Sequence, residues 1–220
     1  MAKMRWGEEG PKDDEAARRR LIDSAEKCFK RYGVAKTTVE DVAMQANVSR
    51  ATVYRYFEGR DELVLGVLLR EAGRFVKRLR KHIDLQPTFS DAIVEGAVFT
   101  LENVRGDANL GMLFAPETVG LTARVEGASE ALFDISSEIM LPIFELGSKE
   151  GELREGIDLA DASEWMMRVI ISLLVVEVPF ERDAEELRTF LRNFLLPALV
   201  ASPPEPAISS GRVKTQVGAG

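Results

Sequence analysis

Between Ser49 and Phe57 the chain sets Arg50, Thr52, Tyr54, Arg55 and Tyr56 within seven positions. A guanidinium offers a planar fork of N–H donors that matches phosphate oxygens or the paired acceptors on a guanine edge. Thr and Tyr hydroxyls donate single hydrogen bonds to a phosphate backbone. The chemistry this window can do is recognition of a polyanion. Catalytic groups are sparse elsewhere. The single histidine, His82, lies in the basic run from Lys77 with no nucleophile elbow beside it, and the single cysteine is Cys28. A zinc site built on imidazole or thiolate needs three or four converging ligands. Neither a metal site, a cofactor nor an enzymatic activity is expected. Cys28 falls on an apolar stripe and reads as a small core residue; His82, near a helix C-terminus, reads as a surface residue compatible with the helix dipole.

The elements that must hold this window are helical. Leu21, Ile22, Ala25, Cys28, Phe29 and Tyr32 recur at three- and four-residue steps, and Gly33 stops that helix. Thr37 and Thr38 are both possible N-caps, and Glu40 three residues after Thr37 completes a capping-box pattern for a short second helix. Asn47 can take the left-handed conformation that ends it, and Ser49 caps a helix with the body Arg50 to Phe57. Val42 and Ala43 face the contact between these two helices, Val48 and Val53 plug the turn, and Arg50, Thr52 and Arg55 point outward. Two short helices with a tight turn have the layout of a helix-turn-helix that presents its second helix to the major groove. Gly59 closes that helix. Asp61 and Glu62 begin a long one running to about His82, with Val64, Leu68, Phe75 and Leu79 near one stripe.

Charge is divided in the same place. The 220 residues carry a net charge of −7, but residues 1–82 hold +6 and the remainder −13. Such asymmetry suggests that the basic end meets a polyanion while the acidic part does something else. A lone cysteine and no secretory leader pattern make a reducing cytoplasm the expected compartment. The most apolar segment, Trp165 to Val178, is interrupted by Arg168, Ser172 and Glu177 and reads as a core helix, not a membrane span.

The run Thr37 to Ala43, followed by Asn47 to Leu63, resembles the DNA-binding module of TetR-type regulators. The resemblance covers about residues 17–66. It implies an all-α protein: an N-terminal three-helix helix-turn-helix DNA-binding domain at 13–60 and a C-terminal helical ligand-binding and dimerisation domain at 61–200. Residues 1–12 would be a mobile arm and 201–220 a mobile tail. The implied partners are double-stranded operator DNA with near-palindromic symmetry, a second copy of the chain, and a small molecule whose binding releases the operator. By position, Thr37 and Thr38 fall near phosphates, Arg50, Ala51, Thr52 and Arg55 face bases or nearby backbone, and Tyr54, Tyr56 and Arg60 fall on phosphates. Phe57 packs. An arginine at Arg55 would favour guanine, with discrimination of ~1–3 kcal/mol.

In the acidic part, Phe89, Ile93, Ala97, Leu101 and Val104 define a helix ending near Gly106, and a short segment at Leu110 to Phe114 stops at Pro116. Leu132, Ile139, Ile143 and Leu146 mark a longer helix bent at Pro142. Asp158 or Asp161 starts the apolar helix that ends at Pro179, and Asp183 starts an amphipathic one. Helices 158–178 and 183–200 are expected to pair across a two-fold axis; the alternative is a wholly intramolecular core. Phe99, Met112, Phe114, Phe133, Met140, Phe144, Trp165 and Met166 could line a pocket for a lipophilic effector or fill the core equally well. The competing functional reading is a helix-turn-helix protein that binds DNA for architecture, or through a protein partner, without a small effector.

Overall fold

A computed structural model of the chain describes residues 11–106, 111, 120, 125–176, 178–179 and 182–201. The expected arm lies outside them except for its last two residues, as do the tail beyond Ala201 and most of the short segment at 110–116, including Met112 and Phe114. The described residues form α1 (Asp14–Tyr32), α2 (Val39–Ala46), α3 (Arg50–Tyr54), α4 (Arg60–Ile83), α5 (Phe89–Gly106), α6 (Ala128–Glu150), α7 (Leu159–Val175) and α8 (Ala184–Phe194), with a 3-10 turn at Leu196–Ala198. The fold is all-α, and no described helix is long and apolar enough to cross a membrane.

Local sequence explains where the helices start and stop. Asp13 caps α1 by accepting from the Ala16 N–H at 2.6 Å, and Gly33, at φ 82°, ends it with its N–H on the Phe29 carbonyl. Of the two possible caps of the second helix Thr38 is the one used, and the box closes on Asp41, not on Glu40. Thr38 is the cap and Asp41 its partner in the box, each side chain accepting from the other's backbone N–H, because Thr37 is buried and spends its hydroxyl on the Gly33 carbonyl at 2.8 Å. The third helix is shorter than expected and stops at Tyr54, with Tyr56 and Phe57 turned into the core. Asp158, not Asp161, caps α7, which ends at Val175. Pro142 lies inside α6.

Two apolar cores result, and α4 belongs to both. Its first half, Leu63, Val64, Val67 and Leu68, packs with Leu21, Phe29, Val42 and Val53 of α1–α3. Its second half, Phe75, Leu79 and Ile83, packs with Phe89, Ile93 and Leu101 of α5 and with Met140, Ile143, Met166 and Leu191. Arg70, between the halves, pairs with Asp23 and Glu26 of α1. His82 is not the surface residue expected: its ring stacks on Phe99 at 4.6 Å and its Nε2 is buried. Cys28 is buried, as its stripe requires.

A charged seam joins α8 to α5. Arg188 grips Glu95 with two N–H groups at 2.7 and 3.0 Å, and Arg192 donates to Asp91 at 2.7 Å. These hydrogen bonds hold the Glu95 and Asp91 carboxyls below their ordinary values of 4.5 and 3.8, against the opposing effect of burial. A depressed folded-state pKa gives stability that is complete above the unfolded value and lost as pH falls through the folded one. Unfolding free energy measured by urea titration should therefore be flat from about pH 7 to about pH 5 and decline below it. Glu95→Gln should make that acid decline shallower; an unchanged slope would remove the seam from the account.

Candidate nucleic-acid interface and interior cavity

Small and β-branched side chains bring α2 and α3 together. Ala43 is 4% exposed and Val53 fully buried. Asn47, the one non-glycine residue with positive φ among those described (φ 55°, ψ 49°), closes the turn, and the Val48 N–H reaches back to the Ala43 carbonyl at 3.0 Å. Ser49 then caps α3 by accepting from the Thr52 N–H at 3.1 Å. A five-residue helix has one usable face. Ala51, Tyr54 and Arg55, at i, i+3 and i+4, lie outward with Arg50 beside them, and Thr38 is exposed at the start of α2.

Each arginine of this face is held by a tyrosine hydroxyl and a carboxylate. Arg50 pairs with Glu40 at 2.5 Å and donates to the Tyr54 hydroxyl at 3.3 Å, its guanidinium 5.3 Å from the Tyr54 ring centre. Arg55 donates to Asp14 at 3.2 Å and to the Tyr56 hydroxyl at 2.8 Å, 4.9 Å from the Tyr56 ring. Both retain more than half of their side-chain exposure.

Four of the residues aligned with DNA contacts have other work. Thr52, expected to face outward, is 6% exposed and its hydroxyl pairs with that of Ser49 at 2.8 Å. Thr37 is buried as described. Tyr56 is also 6% exposed and donates its hydroxyl to Asp14 at 3.0 Å; burial, then this acceptor, raise its pKa. Arg60 donates to the carbonyls of Thr37 at 3.0 Å and Val34 at 2.5 Å, fastening the start of α4 to the loop before α2. The sequence assigns Glu40 a capping role and not this pairing, and Asp14 none at all. Asp14 stands 41 positions before Arg55, a separation that carries no local signal.

A cavity of about 390 Å³ lies between α4, α5, α6 and α7. Leu68, Ala72 and Phe75 of α4 line it together with Gly96, Ala97 and Thr100 of α5, and Ser136, Met140, Met166 and Ile170 complete the lining. Of the pocket residues considered from sequence, Met140 and Met166 are brought here. Phe99 stacks on Phe75 and His82 instead, and Phe144 packs against the C-terminal core. Phe133 is half-buried away from the lining, and Trp165 is 41% exposed. The aromatic residues were misleading because bulky rings fill space, whereas Ala and Gly leave it. The Thr100 and Ser136 hydroxyls donate to the Gly96 and Ser163 carbonyls at 2.7 and 3.0 Å. Among the described residues no group of three or more His, Cys, Asp or Glu is placed to hold a metal ion.

The profile of bacterial regulatory proteins of the tetR family matches residues 21–67, from the middle of α1 into α4. An uncharacterized HTH-type transcriptional regulator of Mycobacterium tuberculosis is 25% identical over 183 residues, spanning 83% of this chain and 85% of that one. The fatty acid metabolism regulator protein of Bacillus subtilis is 24% identical over 152 residues, 68% of this chain and 77% of its own. Among solved structures, the TetR family repressor AlkX from Dietzia sp. strain DQ12-45-1b superposes with a TM-score of 0.60 at 21% identity, covering 86% of this chain and 97% of that one. The family regulates transcription and is generally non-enzymatic. Helix-turn-helix geometry and the profile centred on it lead to one assignment: residues 21–67 form the DNA-binding domain of the bacterial regulatory tetR family, in a chain that aligns along most of its length with an HTH-type transcriptional regulator.

Proposed function

We propose that this regulator is a homodimeric repressor that holds a near-palindromic operator and lets it go when a small lipophilic molecule fills the cavity. The observation that carries the reading is the double duty of α4, which packs on α1 through Leu63 to Leu68 and walls the cavity through Leu68, Ala72 and Phe75. A ligand that binds better to one setting of α4 shifts the separation of the two DNA-binding modules. The mostly hydrocarbon lining supports a lipophilic ligand. Trp165, Ile171, Val175 and Phe194, exposed on α7 and α8, support pairing of these helices with those of a second chain. Thr38, Arg50, Ala51, Tyr54 and Arg55 are the proposed DNA contacts. Thr37, Thr52, Tyr56 and Arg60 act behind them by fixing the loop, the turn and Arg55.

Selection of bound duplexes from a random pool, followed by titration of the winner at two salt concentrations, tests the DNA half. A two-fold symmetric consensus bound by dimers, with affinity falling steeply as salt rises, is expected. Lipophilic compounds, including any that co-purify, are then added to the complex. Release must be reciprocal, with operator weakening the ligand by the same factor. Tight operator binding that no cavity ligand alters would make the protein an architectural binder.

A further inference from the structure

We infer that Asp14, in the first turn of α1, is a specificity-determining residue for DNA recognition, acting through Arg55 and with Tyr56 as the third member of the contact. This inference rests on the proposed role of Arg55 as a base-reading side chain.

The three groups are each hydrogen-bonded to the other two. The Arg55 Nη2 donates to the Asp14 Oδ1 at 3.2 Å and to the Tyr56 hydroxyl at 2.8 Å, and the Tyr56 hydroxyl donates to the same Asp14 oxygen at 3.0 Å. Tyr56 is 6% exposed, so its ring is fixed by the core and its hydroxyl is a stationary post. Asp14 is anchored through α1, whose start is capped by Asp13. A free arginine has four flexible torsions and loses their entropy on docking. One held by a rigid hydroxyl and a carboxylate has lost much of it already, and the setting of its guanidinium is guided by those two partners.

The consequence is a division between affinity and specificity. The Asp14 carboxylate is 81% exposed in its side chain, so toward phosphates it is simply repulsive. Removing its charge raises affinity for DNA of any sequence. As a guide for Arg55 it favours the base that accepts from a preset fork, and removing it lets the guanidinium reach for whatever acceptor is near. Asp14→Asn therefore improves nonspecific binding and degrades selectivity, opposite signs that a purely structural role for Asp14 does not produce. Tyr56→Phe, which keeps the ring in the core and deletes the post, degrades selectivity at the same base.

The experiment determines base preference at every operator position for the full-length wild type, Asp14→Asn, Tyr56→Phe and Arg55→Ala, with melting temperatures as a check on folding. Arg55→Ala should flatten one position in each half-site. Asp14→Asn and Tyr56→Phe should flatten that same position, cutting the ratio of best to second base by about fivefold, while Asp14→Asn binds random duplex more tightly than wild type. Flattening by Arg55→Ala with an unchanged matrix for Asp14→Asn overturns the role of Asp14 and leaves Arg55 standing. An unchanged matrix for Arg55→Ala overturns the base-reading assignment itself. Uniform weakening at all positions by Asp14→Asn, at a preserved melting temperature, also overturns the inference.

Discussion

Ala97→Phe is expected to leave operator binding intact and to abolish release by effector. Ala97 lies in the middle of α5, is 2% exposed and lines the cavity. A benzyl group added there enters about 390 Å³ of unfilled space. The overpacking cost of ~1–3 kcal/mol that such a change carries in a filled core is thereby largely avoided. The ligand, however, loses its place. If effector normally weakens the operator complex by ~5- to 150-fold, the ratio of affinities with and without effector should fall to one in the variant. Fluorescence anisotropy of a labelled operator duplex reads this directly. Undiminished release would locate the effector outside the cavity. Loss of operator binding without any effector would mean that a filled cavity is itself sufficient to select the released setting of α4.

The second large effect is on stability, where α5 crosses α6. Gly147, inside α6, faces the ring of Phe89, which is fully buried. A Cβ at Gly147 would stand 2.6 Å from one ring carbon and 2.8 Å from another. In an unconstrained helix interior, glycine to alanine stabilises by ~1 kcal/mol. Here the sign reverses, because the nearest atoms belong to the rigid ring of a fully buried residue, and Gly147→Ala should cost ~1–3 kcal/mol. Phe89→Ala should cost ~3–5 kcal/mol by opening a void under the same crossing. The two sites are in contact, so they should not add: Phe89→Leu combined with Gly147→Ala should lose less than the sum of the single changes. Urea unfolding of the four variants measures the coupling. A stabilised Gly147→Ala would show that the helices do not cross at this distance.

Much of the DNA-binding half was legible because its signals are local. Asn47, Ser49 and Gly33 are residues whose backbone or capping chemistry is decided within a few positions, and each sits where the sequence puts it. Thr37 and Thr38 were both possible caps, and what decides between them is the burial of Thr37 with its hydroxyl on the Gly33 carbonyl, which also moves the box partner from Glu40 to Asp41. Thr52 and Tyr56 misled for a related reason. A polar side chain on or just beyond a short helix can be satisfied by another side chain of the protein, as Thr52 is by Ser49 and Tyr56 by Asp14, and its type alone does not say whether it is. The cavity was least legible. Its walls are made as much by Ala72, Gly96 and Ala97 as by large residues, and empty space arises from what distant helices fail to fill. The stripe of Leu68, Phe75 and Leu79 on α4 was visible, but nothing in it distinguishes a wall from a core.

The sharing of α4 between two apolar clusters also has a kinetic side. Neither cluster can come apart by itself without stripping half of the same helix, so the amide protons of α4 should exchange with solvent only through the largest opening the chain makes. Those of α2 and α3, which belong to the N-terminal cluster alone, should exchange through smaller excursions. A molecule that steadies the far end of α4 then slows deuterium uptake in α1, a helix it never touches. The helix is a common foldon boundary, and its protection is a gauge of both halves at once.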